Sequence, residues 1–150
     1  MIFSRGVRGL LLFTLVLGML GTAAELFLLQ HYEDPWQLAP LVLIAAALIV
    51  LALHGVSGSR ATIRGIQAVM ALFIVSGIVG AGLHYNANSE FELEMNPALA
   101  GVELFKESLS GATPALAPGT MIQLGLIGLA YTYRHPRLDE SMATASRRQE

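Results

Sequence analysis

Histidines and carboxylates stand close together near the ends of two apolar runs, and these are the residue types that bind divalent cations. Oxygen ligands combined with one or two imidazoles suit calcium, manganese or zinc, with the geometry deciding between them. The sequence therefore predicts a metal site, and the alternative is a hydrated acidic surface. The candidate ligands are His31, Glu33, Asp34, His84, Glu90, Glu92 and Glu94.

The last three of these carboxylates belong to segment 90–95, in which acidic and apolar residues alternate. Such alternation is typical of an extended strand, so we expect the carboxylates on one edge and the apolar side chains on the other. Neighbouring carboxylates along a strand are about 6.6 Å apart, too far to chelate one ion by themselves. Ligands from the first loop or from His84 would have to complete the site.

Glu25 indicates a different chemistry, because it is an ionisable residue at the edge of an apolar run. A charged side chain inside a membrane costs about 2.5 to 3.5 kcal/mol unless it is paired, neutral or hydrated. Glu25 either titrates along a proton or cation path or extends to the membrane surface. The predicted path consists of Thr22, Glu25, Ser76 and Gln123.

The four histidines also allow a redox protein that binds haem or quinone, with His31 paired to His84 and His54 paired to His135. Their positions at or beyond the ends of apolar runs disfavour haem ligation. The chain has no cysteine, which excludes disulfides, thiolate metal sites and iron–sulfur clusters. We find no nucleophile beside an acid–base pair and no phosphate-binding loop, so a non-enzymatic role is favoured.

The elements that must position these residues are membrane helices. Of the 150 residues 54% are hydrophobic and only 13% are charged, about half the charge density of a soluble domain. Four runs of 16 to 26 residues carry no Asp, Glu, Lys or Arg, and about 20 apolar residues suffice for a helix to cross a bilayer. The predicted spans are 9–29, 38–53, 63–83 and 115–133.

The basic residues predict the orientation of these spans. Eight of the nine lie before the first span, in or next to the loop between the second and third, or after the fourth, whereas Lys106 shares the third loop with five acids. By the positive-inside rule both termini are cytoplasmic, segment 134–150 is a cytoplasmic tail, and the protein lies in the inner (cytoplasmic) membrane. A cleaved signal peptide at the N-terminus is the alternative, although the apolar run continues past its small residues. A net charge of -2 gives no basic surface for nucleic acid.

The outer loop, 84–113, is long enough to contain structure of its own. Asn96 and Pro97 are typical of a helix N-cap and first helical position, and apolar residues follow at helical spacing as far as Gly111. This pattern predicts a short helix on the membrane surface. Segment 114–119 contains two prolines and a glycine, and we interpret it as a capped first turn of the fourth span rather than a broken helix that lines a site.

The predicted fold is therefore all-α: an integral membrane four-helix bundle with a short interfacial helix in the third, outer loop. Small residues three or four apart, such as Gly18 and Gly21, would let helices approach within the bundle or in a dimer. We expect a non-enzymatic subunit, anchor or assembly factor of an envelope membrane complex, with a divalent cation at its outer face. Its partners would be the lipid bilayer and other membrane subunits or a second copy. The alternatives are a small proton- or cation-coupled transporter or channel component using Glu25, and a haem- or quinone-binding redox protein.

Overall fold

The computed structural model describes residues 5–136 and 138, and all regular secondary structure among them is α-helical. Three of the helices, α1 to α3, are long and apolar enough to cross a membrane, as expected for a helical membrane protein. Most of the predicted tail, residues 137 and 139–150, lies outside the described residues. The helices are α1 (Arg5–Leu28), α2 (Pro35–Ser57), α3 (Arg60–Met95), α4 (Gly101–Ser110) and α5 (Gly119–Thr132).

Helix α2 begins three residues before the predicted start of the second span because Asp34 caps it. The Asp34 carboxylate accepts hydrogen bonds from the backbone N–H groups of Trp36 and Gln37 at 2.8 and 3.1 Å. Pro35 occupies the first helical turn, where a missing N–H costs nothing. At the other end Gly58 adopts a left-handed conformation, with φ of 56°, and its N–H donates to the carbonyl of His54. The turn from α2 to α3 is therefore only two residues long.

The predicted strand at 90–95 is wrong, because α3 continues as a helix through Met95. Segment 83–95 contains no glycine or proline, and extending an existing helix requires no new nucleus. An isolated strand would also leave its backbone amides without partners. With 36 residues, α3 is about 54 Å long, well beyond a hydrocarbon core of about 30 Å.

The starts of the last two helices also differ from the prediction. Asn96 ends α3, its N–H donating to the Glu92 carbonyl at 2.9 Å, and α4 begins only at Gly101. The predicted end of α4 at Gly111 is confirmed. Helix α5 begins at Gly119 rather than at residue 115, because the prolines before it lie in an irregular turn. Its 14 residues span about 21 Å.

Helix α3 is central and contacts α2, α4 and α5, while α1 contacts α5 and α2. The backbones of α3 and α5 approach closely at Gly77 and Gly125: a Cβ at Gly125 would lie 2.7 Å from the Met70 carbonyl oxygen. Large apolar side chains also cover the outward faces, for example Leu10 and Phe13 of α1, each 65% exposed. The interior is formed by Leu15, Met19, Ile44, Ala47, Ile66, Met70, Phe73, Met121, Leu124 and Tyr131.

Candidate functional site

Polar side chains gather at both ends of the helices. One end, which we call the arginine end, comprises the first turns of α1 and α3, the last turns of α2 and α5, and segment 133–136. The other, the acidic end, comprises the α1–α2 loop, the last turns of α3, and α4. The two candidate sites are therefore separated by the apolar interior.

At the acidic end the structure brings together the predicted pair His31 and His84. Their ring centroids are 6.1 Å apart, with the ring planes inclined by 52°. Both side chains are half-buried, and Nδ1 of His84 is buried without a hydrogen-bond partner. A metal–nitrogen bond is about 2.0 to 2.1 Å long, so two imidazoles that share one ion must each bring a ring nitrogen to that distance from it.

The candidate carboxylates do not join this pair in a cluster. Asp34 is engaged in capping α2, and Glu33 is exposed. Because segment 90–95 is helical, Glu90 and Glu94 lie one turn apart on one face, whereas Glu92 points elsewhere. Within residues 5–136 and 138, no group of three or more His, Asp or Glu side chains is arranged to hold a metal ion.

The residues of the predicted proton or cation path occupy different environments. Thr22 and Ser76 are half-buried in α1 and α3, whereas Gln123 of α5 is exposed. Glu25 is also exposed and lies in the last turn of α1. Two of the four side chains thus lie on the outer surface rather than in the interior.

Asn88 organises the acidic end from a buried position, 2% exposed. Its Nδ2 donates to the carbonyls of Ser108 and Thr113 at 2.9 and 2.7 Å. Its Oδ1 accepts from the backbone N–H and the hydroxyl of Thr113 at 3.1 and 2.6 Å. One amide therefore holds the end of α4 and the start of the following segment against α3. A single asparagine creates no sequence periodicity, so only its place in a polar stretch hinted at a role.

At the arginine end, Arg8 of α1 is 8% exposed and binds the C-terminus of α5. Its Nη1 donates to the Tyr131 carbonyl at 2.7 Å, and its Nη2 donates to the carbonyls of Tyr133 and Arg134 at 3.0 and 2.9 Å. The last carbonyls of a helix lack intrahelical donors and carry partial negative charge, so a guanidinium is well suited to them. In the sequence Arg8 indicates only the orientation of the first span, because nothing there links it to residues 131–134.

The second predicted histidine pair also comes together, beside Arg8. His54 is 6% exposed, and its Nδ1 lies 2.9 Å from the Thr62 hydroxyl. Its ring meets His135 and Tyr131 edge-on, at centroid distances of 5.5 and 6.4 Å. This buried polar cluster connects α1, α2, α3 and α5. A guanidinium at the same end of the molecule disfavours binding of a metal cation there.

Comparison of the chain with models of known protein families, with curated proteins and with solved structures found no match.

Proposed function

We propose that the protein is a non-enzymatic integral membrane subunit, anchor or assembly factor of an envelope complex. In this proposal α1, α2, α3 and α5 form a bundle that crosses the cytoplasmic membrane four times, with both termini in the cytoplasm. The apolar outward faces of α1 to α3 support it, since surfaces of this kind are stable in lipid. In this proposal the turns at 115–118 lengthen the crossing made by the short α5. Contacts with α3 and α1 hold α5 in the bundle.

The observation that carries the proposal is the α3–α4 projection, by which we mean residues 84–113. Helix α3 is about 54 Å long, so it extends well past a bilayer core, and Asn88 holds α4 against it. Five large apolar side chains remain exposed there: Phe91 at 48%, Leu93 at 37%, Met95 at 71%, Val102 at 70% and Phe105 at 51%. Exposed apolar side chains surrounded by charged residues are typical of a protein–protein interface. Because the element is already ordered, it loses little conformational entropy when it binds a partner.

Site-specific photocrosslinking in the native membrane tests this proposal. A photoreactive side chain at position 102 or 105 should form a discrete adduct with one partner protein, which co-purifies in mild detergent. The matched control is position 56 in the last turn of α2, where Val56 is 91% exposed but lies at the opposite end. Adducts with lipid alone at positions 102 and 105 would contradict the proposal and indicate that α4 rests on the membrane surface.

We also propose that a divalent cation binds at the acidic end, through His31 and His84 with water or a partner ligand completing the coordination. The close ring approach and the buried Nδ1 of His84 support this. In a zinc titration of the purified protein, H84A should lose most of the binding, whereas H54A should retain it. Equal binding by both variants would count against the site.

The alternative functions have weaker support. A transporter using Glu25 needs an interior path, and the exposure of Glu25 and Gln123 favours the subunit proposal over it. A haem-binding protein needs space for a porphyrin between paired histidines, and His54 instead contacts Tyr131 and His135 directly. An absorption spectrum of the purified protein would test the redox alternative.

A further inference from the structure

We propose that the arginine end binds the phosphate groups of anionic membrane phospholipids. This inference rests on the membrane placement proposed above. The described part of this end contains five arginines and no aspartate or glutamate. The arginines are Arg5, Arg8, Arg60, Arg64 and Arg134.

Helix contacts place these arginines, which come from different parts of the chain, at one end of the molecule. Arg5 lies one turn before Arg8 on the same side of α1, and Arg8 binds the carbonyl of Arg134. Arg60 and Arg64 are one turn apart at the start of α3, which contacts α5. The positive charges of α1, α3 and the end of α5 therefore surround one end of the molecule.

Part of this positive charge is open to an external anion. Arg5, Arg64 and Arg134 are exposed, and the carboxylates that the structure describes belong to the acidic end and the adjoining turn of α1. Arg134 has its guanidinium carbon 5.5 Å from the ring centroid of Tyr133, an exposed aromatic residue of the kind found at membrane interfaces. Arg8 uses its terminal nitrogens on backbone carbonyls, and its buried Nε has no hydrogen-bond partner.

A lipid phosphate fits this arrangement better than a soluble anion. The planar guanidinium donates two parallel hydrogen bonds to phosphate oxygens, and clustered basic residues at membrane surfaces attract anionic headgroups. Near the same end of α1 and α2 lie exposed apolar side chains that acyl chains can cover: Leu10 at 65%, Leu53 at 55% and Val56 at 91%. One lipid can thus bind the protein through its headgroup and its acyl chains at once.

The test uses the full chain reconstituted in nanodiscs that contain phosphatidylcholine and phosphatidylglycerol in equal amounts. Native mass spectrometry of the released protein measures the ratio of the two bound lipids. Wild-type protein should retain phosphatidylglycerol preferentially. The variant R64Q/R134Q should reduce the enrichment more than tenfold, since each basic residue near an anionic surface contributes about fivefold. The control K106Q removes a positive charge from the acidic end and should leave the ratio unchanged.

Each outcome of this experiment either supports or overturns the lipid-binding inference. Enrichment that is equal in wild type and R64Q/R134Q, or no preference for phosphatidylglycerol, overturns the inference and leaves the subunit proposal intact. A chain that does not insert into nanodiscs overturns both. Loss of enrichment in K106Q to the same extent would show a response to net charge rather than a site, and would also overturn the inference.

Discussion

Two buried polar side chains, Arg8 and Asn88, each stabilise one end of the molecule by hydrogen bonds to backbone groups of a distant segment. Each reaches across at least 20 residues of sequence, and each donates to carbonyls at buried or partly buried positions. Neither could be predicted in this role from the sequence, because a single residue has no period and its partner is fixed only when the helices associate. The stability of both ends should therefore depend strongly on these two residues.

We expect Arg8→Met to lower the free energy of unfolding by about 2 to 4 kcal/mol. Methionine keeps much of the buried volume but leaves the carbonyls of Tyr131, Tyr133 and Arg134 without their charged donor. Denaturant titration in mixed micelles measures the change. Arg5→Met, on the same helix but exposed, should change stability by no more than about 0.5 kcal/mol. Similar losses in the two variants would show that the hydrogen bonds of Arg8 contribute little.

For Asn88→Ala we expect a local effect, because the substitution removes all four hydrogen bonds between Asn88 and residues 108–113. Hydrogen–deuterium exchange should accelerate at least tenfold in the amides of α4 and the segment that follows it, while α1 and α2 remain protected. Asn86→Ala is the control, since Asn86 is exposed on the same helix. Unchanged exchange in α4 would mean that apolar contacts alone hold it in place.

The helices themselves were predicted best where burial in lipid sets the pattern. The long apolar runs indicated α1, α2 and most of α3, since about 20 apolar residues have few other stable arrangements. Outside those runs local signals competed: six alternating residues suggested a strand where α3 simply continues, and Asn96 suggested a start where it forms an end. Such boundaries depend on the neighbouring helices, which the local sequence does not contain.

The contact between α3 and α5 should tolerate no side chain at Gly125. A Cβ there would lie 2.7 Å from both the Met70 carbonyl oxygen and the Ile74 side chain, so the backbones would have to separate. We expect Gly125→Ala to lower the free energy of unfolding by about 1 to 3 kcal/mol. Gly21→Ala is the matched control, because no atom lies within 4 Å of the added carbon. If both variants unfold at the same denaturant concentration, the proposed close packing of α3 against α5 is wrong.

The part of the molecule that the structure describes is electrically polar, although the net charge of the chain is only -2. Eight of the eleven acids and Lys106 belong to the acidic end and the adjoining turn of α1, while the arginine end holds positive charge alone among its described residues. The sequence predicted this separation, and it placed His31 and His84 in one candidate site. It could not predict that the carboxylates would separate from the histidines, because that depends on the helical form of segment 90–95 and on the capping role of Asp34.

Single cysteines can test the orientation of the whole molecule, because the chain has no cysteine of its own. Ser57 and Ser110 form a matched pair at opposite ends: both are exposed, and each hydroxyl donates to the carbonyl four residues earlier, at 2.8 and 2.9 Å. With a membrane-impermeant maleimide on intact cells, Ser110→Cys should label at once, whereas Ser57→Cys should label only after permeabilisation. The opposite pattern would reverse the orientation derived from the basic residues.

A third variant, Ser141→Cys, tests whether α5 crosses the membrane, since Ser141 follows α5 in the sequence. We expect it to behave like Ser57→Cys, because Arg8 of α1 binds the C-terminus of α5 and thereby places the beginning of α1 and the end of α5 at one end. Labelling of Ser141→Cys in intact cells, combined with protection of Ser57→Cys, would leave only three crossings. The shared buried contacts of Arg8 and His54 favour four, since they require the end of α5 to remain beside the turn between α2 and α3.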